Sequence, residues 1–274
     1  MENLTAIDDL VERLDRDVLR ASLSLTPVEM RFLVDSYYSI QKMRIQLGNA
    51  ALAASEGGEP REFPAWLGRQ MKQLEVRLRS VMKAWAYERP PGRWAMSQVG
   101  IGPVIAAGLL AHIDPARAAT AGAVWRFAGL DPTLEWGKGE KRPYNADLKL
   151  LCFKIGDSFM KFHNHPKCYY GHVYAQRKVQ EMERSAAGLF ADQAQVSLTT
   201  KRITDPATKA CYESGQLPAG RIELRARRPA VKLFLAHYHQ VARESAGLPI
   251  VKPYVIEHLG HVHLISPPGW PLED

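Results

Sequence analysis

Lysines and arginines interleaved with aromatic rings are the residues of this chain best suited to chemistry. Between positions 138 and 178 stand nine lysines and arginines against three acidic residues. Lys138, Lys141, Arg142, Lys149, Lys154, Lys167, Arg177 and Lys178 alternate there with Tyr170, His172 and Tyr174, and Asn145 adds an amide. Cations hold phosphates whatever the base sequence, and rings stack on unpaired bases. A second cluster, Arg221, Arg225, Arg227, Arg228 and Lys232, encloses a single acidic residue, Glu223. Both clusters are candidate nucleic-acid contacts. Each charge is otherwise a solvated surface group, and each tyrosine at helical spacing is otherwise a core ring.

A third candidate is the turn Gly100-Ile101-Gly102-Pro103-Val104. Two glycines suit a hairpin with positive φ between helices, and the second helix would offer free N–H groups at Gly102 and Val104 to a phosphate. The alternative is a purely structural turn.

Other chemistry finds little support. The chain has no Walker loop, Gly-x-Ser-x-Gly elbow or His-Glu-x-x-His. Cys152, Cys168 and Cys211 lack metal or redox spacing, so neither disulfides nor a zinc ribbon is expected. His163-Asn164-His165 reads as a helix end. His237 and His239 are two apart on a helix and face different ways. Glu257, His258, His261 and His263 could place two imidazoles on one face of a C-terminal strand, GHVHLI, but no second ligand pair is evident. No catalytic residue, metal or cofactor is expected.

The elements that must position these groups are mostly helices. The chain has 274 residues, 46% hydrophobic and 24% charged, enough for one long or two short domains. It has no apolar run of membrane-spanning length and no apolar leader, so a cytoplasmic protein without a membrane partner is expected. The net charge is +7, but residues 1–20 hold six acidic residues against three basic ones. The anionic partner therefore belongs to the second half.

Thr26-Pro27-Val28-Glu29 is a capping box opening a helix that runs to the glycines after residue 54, with a loop near 55–62. Leu67, Met71, Leu74, Leu78, Val81 and Trp85 then recur at a/d spacing. They form either the seam of a coiled-coil-like dimerisation arm or the inner face of a helix packed on its own domain. A helix, the glycine hairpin and a second helix follow, then a short helix stopped at Gly129 and Pro132. Asn145 caps a helix burying Leu148, Leu151, Cys152, Ile155, Phe159 and Phe162. A further helix begins near Tyr169, residues 190–220 read as a polar excursion, and a last long helix covers Gly220 to about Ser245. Three parts are expected: 1–93 for short N-terminal helices and the arm, 94–246 for the nucleic-acid-binding part, and 247–274 for an extended tail.

VGIGPVIAAGLLAHID from Val99 and GAVWRFAGLDP from Gly122 resemble the helix-hairpin-helix C-terminal domain of bridge-RNA-guided insertion-sequence transposases, over residues 94 to about 178. Those enzymes carry an N-terminal RuvC-like domain with four acidic residues, which residues 1–60 lack. They also place a nucleophilic serine shortly after Ala-Gly-Leu-x-Pro, whereas 131–143 contains no serine and only Thr133 in its place. The layout is also similar to the Nop domain of guide-RNA proteins. NADLKLLCFK from Asn145, PKCYYGHVY from Pro166 and GRIELRARRPAVKLFLA from Gly220 are similar to three Nop segments in the same order. The Tas proteins of tandem interspaced guide RNA systems join both resemblances.

Together the resemblances imply a mainly α fold with a coiled-coil arm, a helix-hairpin-helix/Nop-like RNA-binding lobe and a short C-terminal strand. They imply a nuclease-free homodimer that binds a structured guide RNA, reaches target DNA through that guide and works with a separate nuclease or effector. The alternatives are a transposase-like recombinase and a simple double-stranded DNA binder.

Overall fold

The computed structural model describes residues 16–57, 62–251 and 265–272, which are helical with no strand among them. The expected strand GHVHLI, together with His258, His261, His263 and Glu257, falls outside the described residues, apart from Ile265 at its end. Two compact units form. One takes the residues up to Met96 together with Gly102–Asp114; the other takes Ser97–Ile101 and the chain from Pro115 onward.

In the first unit, α1 (Arg16–Ala21) leads to α2 (Pro27–Gly57), whose capping box is complete. Thr26 N–H and its hydroxyl both donate to Glu29 Oε2 at 2.8 Å, and Glu29 N–H donates back to Thr26 Oγ1 at 3.3 Å. The helix expected from the capping box thus runs for 31 residues. It packs along α3 (Glu62–Tyr87), where the buried Glu75 carboxylate is paired with Arg44. Trp85 Nε1 ties α3 to the start of α2 by donating to the Leu25 carbonyl at 2.8 Å.

Two prolines start α4 (Pro90–Ser97), and α5 (Pro103–His112) follows. α5 has almost no polar face; Val104, Ala106, Ala107, Gly108, Leu109 and Ala111 are all buried. A helix apolar all round must be covered on several sides, and α5 packs on both α2 and α3. That is why the compact units do not divide at residue 93. Leu67, Met71, Leu74 and Leu78 are half-buried, and Val81 and Trp85 buried, within the single chain.

The second unit is organised around α11 (Ala219–Ser245), which lies against α6 (Ala121–Phe127), α7 (Ala146–Lys161) and α8 (Tyr169–Ala186). Asn145 caps α7, its Oδ1 accepting from Leu148 N–H at 2.7 Å. Phe159 stacks on Tyr170 at 5.1 Å between ring centres, and Phe234 of α11 meets both edge-on. Phe162, expected inside, is 45% exposed because α7 has already ended at Lys161.

Residues 190–220 are not an irregular excursion. They form α9 (Ala191–Thr200) and α10 (Pro206–Glu213), which Asp205 caps through Thr208 N–H at 2.8 Å. Phe190, Ala194, Tyr212, Leu217 and Ile222 gather into a small core of their own. Too few apolar residues separated by polar ones hid this helical period from the sequence.

His237 is buried in the second unit between two partners. A carbonyl only accepts, so Nε2 carries the proton donated to Ile265 O at 2.9 Å, and Nδ1 accepts from the Tyr170 hydroxyl at 2.8 Å. Burial lowers its pKa to about 4, despite the Ile265 carbonyl. The unfolded chain therefore binds the proton first as pH falls, and stability decreases between pH ~6.5 and the folded value. The expected loss is about 3 kcal/mol, beginning before carboxylates titrate. Urea midpoints measured across this window should fall in the native protein and fall less in His237→Gln; identical slopes would contradict the assignment.

Candidate nucleic-acid interface

The two basic clusters divide into cations that hold the fold together and cations left facing solvent. Glu181 on α8 is 1% exposed and is surrounded by three guanidinium groups. Arg177 Nη2 and Arg225 Nε lie 2.6 Å from its two oxygens, and Arg184 Nη1 lies 3.3 Å away. Burial alone would push its carboxyl up, but the Arg225 hydrogen bond and the three positive charges hold it below the ordinary range. Glu223 on α11 accepts from the Tyr174 hydroxyl at 2.6 and 2.7 Å, from Lys178 at 2.9 Å and from Arg227 at 3.0 Å. Arg227 also reaches Asp157 at 3.4 Å with a side chain only 14% exposed. Here too burial is outweighed, by hydrogen bonds from Tyr174, Lys178 and Arg227.

These contacts correct the sequence expectation at several positions. Tyr170 and Tyr174 are each 1% exposed, so their rings are core walls and present no face to a base. Arg177, Lys178, Arg225 and Arg227 hold buried or half-buried carboxylates, which a helix seam cannot leave unpaired. Asn145 is committed to its cap. Lys154 is half-buried on α7, and burial lowers its pKa. Lys167 and His172 are exposed at the start of α8, and Arg221 is half-buried at the start of α11, away from any ion pair.

Of the hairpin residues, Gly100 has φ +95°, and a side chain there would meet Ser158 Oγ at 3.0 Å. Ser158 donates to the Gly100 carbonyl at 2.6 Å, so this turn is fastened to α7. Gly102 is different: its φ of −93° is open to any residue, and a Cβ there would meet nothing. Glycine is needed once here, not twice. Pro103 removes one of the amides that the start of α5 would otherwise present, and Val104 is buried.

The remaining cations converge elsewhere. The loop from Gly129 to Asn145, with Lys149 and Arg228, encloses a cleft of about 280 Å³. α6 ends in a reverse turn where Gly129, at φ +65°, donates to Arg126 O at 3.1 Å and Leu130 donates to Trp125 O at 2.9 Å. A Cβ on Gly129 would lie 2.9 Å from the Tyr144 ring. Tyr144 is pressed against this turn, with the Lys149 ammonium 4.1 Å from its ring centre. Trp136 meets Tyr144 edge-on at 5.3 Å and remains 44% exposed.

Asp131 is the carboxylate of the cleft. It accepts from Thr133 N–H at 2.9 Å and from the Thr133 hydroxyl at 2.7 Å, and these bonds hold its pKa low. Thr133, the residue standing where a recombinase serine would be sought, thus has its hydroxyl bonded to a neighbouring carboxylate. Lys138, Lys141 and Arg142 extend from the same loop, exposed and without an ion pair. Lys232 lies 4.1 Å from the Trp125 ring centre, its pKa lowered by burial.

The sequence reading missed Trp136 and Tyr144. Their signal was there: two aromatic residues in the loop WGKGEKRPY, where apolar side chains have no helix face to fill. Among the described residues no group of three His, Cys, Asp or Glu side chains is placed to hold a metal ion, and no helix is long and apolar enough to cross a membrane. Comparison with known proteins finds no matching family model, curated protein or solved structure.

Gly129→Ala forces a side chain into a left-handed backbone and onto the Tyr144 ring. The expected cost is about 1–2 kcal/mol, with loss of order in the loop. A melting temperature and Tyr144 ring signals equal to those of the native protein would contradict this.

Proposed function

We propose that this chain is an RNA-binding, nuclease-free subunit of an RNA-guided DNA-targeting ribonucleoprotein, holding a structured guide RNA. The observation that carries RNA contact is the separation of charges in the second unit. Arg177, Lys178, Arg225 and Arg227 are matched by carboxylates, whereas Lys149 and Arg228 line an aromatic cleft with Asp131 as the one carboxylate among its lining residues, and Lys138, Lys141 and Arg142 stand exposed on the loop that forms it. Unmatched cations give salt-sensitive affinity for phosphates, and an exposed ring beside them favours RNA with unpaired bases over a plain duplex.

The guide and target parts of the proposal rest on the resemblance to Nop-domain Tas proteins and bridge-RNA transposases. Sequence choice would then come from base pairing between guide and DNA, and cleavage from a separate nuclease or effector. The homodimer also comes from that resemblance. Because the α3 seam is largely covered within one chain, a second copy would meet other apolar residues of the first unit, such as Phe32 at 71% and Phe63 at 68% exposed.

Purification from the native genomic context should yield RNA of discrete length that RNase removes and DNase does not. Replacing Lys138, Lys141 and Arg142 together with Glu should weaken RNA binding and flatten its dependence on salt, each phosphate contact contributing about 0.7–0.9 to the log–log slope. Copurification of DNA alone, or an unchanged slope in the triple variant, would overturn the proposal.

A further inference from the structure

The cleft between α6 and α7 is closed by chemically distinct walls. Tyr144 forms one, held against the Gly129 turn and beneath Lys149. Trp136 forms another and keeps nearly half its surface free. Arg228 enters from α11 without an ion pair, and Lys149 meets only rings. Asp131 is pinned by Thr133 and stands 3.7 Å from Arg126.

We infer that this cleft receives one unpaired nucleotide, its base against Trp136 and its phosphate between Lys149 and Arg228. The inference rests on the RNA-binding reading above and names what that reading needs at this site. Three features support it. The volume, about 280 Å³, lies at the lower edge of small-molecule sites, a scale that suits a single base. Tyr144 is covered by the turn and has the Lys149 ammonium 4.1 Å from its centre, whereas Trp136 lies 5.8 Å from that ammonium and stays 44% exposed, which makes it the more open ring for stacking. Two cations against one committed carboxylate leave the cleft with a net attraction for an anion.

An isolated exposed tryptophan on a solvated loop is a different case. Here the ring is fixed edge-on to Tyr144, and Tyr144 is fixed by the helix stop, so a base docks on a preformed wall and little is ordered on binding. Single-strand recognition by stacking is tolerant of sequence, since every base has a π-face. The cleft would therefore recognise an extruded or looped-out position in the RNA rather than a particular letter.

The test uses the full chain, freed of copurifying nucleic acid by high salt. Its probes are a fluorescein-labelled mixed-sequence single-stranded RNA and the same RNA annealed to its complement. Trp136→Ala should weaken single-strand binding about tenfold and leave duplex binding unchanged, while Trp136→Phe should restore most of the loss. Single-strand affinity unchanged in Trp136→Ala would overturn the cleft inference and leave the RNA reading standing. An equal loss for both probes, or no restoration by Phe, would overturn it too, marking Trp136 as a support for the loop. Failure of the native protein to bind either RNA would overturn both readings.

Discussion

Glu181 and Glu223 cannot lie along the α8–α11 seam without cations beside them, and that requirement shapes the rest of the second unit. A carboxylate removed from water costs several kcal/mol unless paired and hydrogen-bonded. Glu181 draws in Arg177, Arg184 and Arg225; Glu223 draws in Lys178, Arg227 and the Tyr174 hydroxyl. Arg225 and Arg184 also lie over the Phe190 ring, at 4.2 and 5.2 Å from its centre, where α8 leads into α9. The same ion pairs that join the long helices thus anchor the small core of α9 and α10. What remains for an anionic partner is the set of cations this network does not use.

Apart from Arg228, which lies within α11, the cations of the cleft and its loop are positioned by helix ends. The Gly129 turn stops α6, the Asn145 cap starts α7, and the Asn145 N–H donates to the Phe127 carbonyl at 2.8 Å, bringing the two ends of the loop together. A long loop closed at both ends by hydrogen bonds can hold Trp136 and Tyr144 in fixed relation without a helix face beneath them. The α7 N-terminus adds a favourable dipole for an anion near Lys149. Positioning therefore comes from backbone chemistry at the loop ends, and the proposed affinity for RNA from side chains within it.

Much of this was legible in the sequence wherever a local rule acted alone. The Thr26 capping box, the Asn145 cap, the Gly129 stop and the span of α11 follow from short-range chemistry and match the structure within a few residues. What needed tertiary context was misread or left open. Tyr170 and Tyr174 alternate with cations in sequence, yet helical periodicity turns them inward while Lys167 and His172 stay out. Arg177 and Arg225 are 48 positions apart, and only folding brings Glu181 between them. α5 reads as part of a hairpin continuing into the second unit, but its all-round apolar surface places it with α2 and α3. Trp136 carries neither charge nor helical period, so only its place in a polar loop marks it in the sequence.

The central claim is that RNA lies on the Gly129–Lys149 loop and not on the arginines of the α8–α11 seam. Ultraviolet cross-linking of the protein to its copurified RNA, followed by mass spectrometry of the nucleotide-bearing peptides, tests it most directly. Cross-links concentrated between residues 129 and 149, with Trp136 or Tyr144 carrying the adduct, are the predicted result. Adducts confined to peptides around Arg177, Arg184 and Arg225, with none in the loop, would contradict the account.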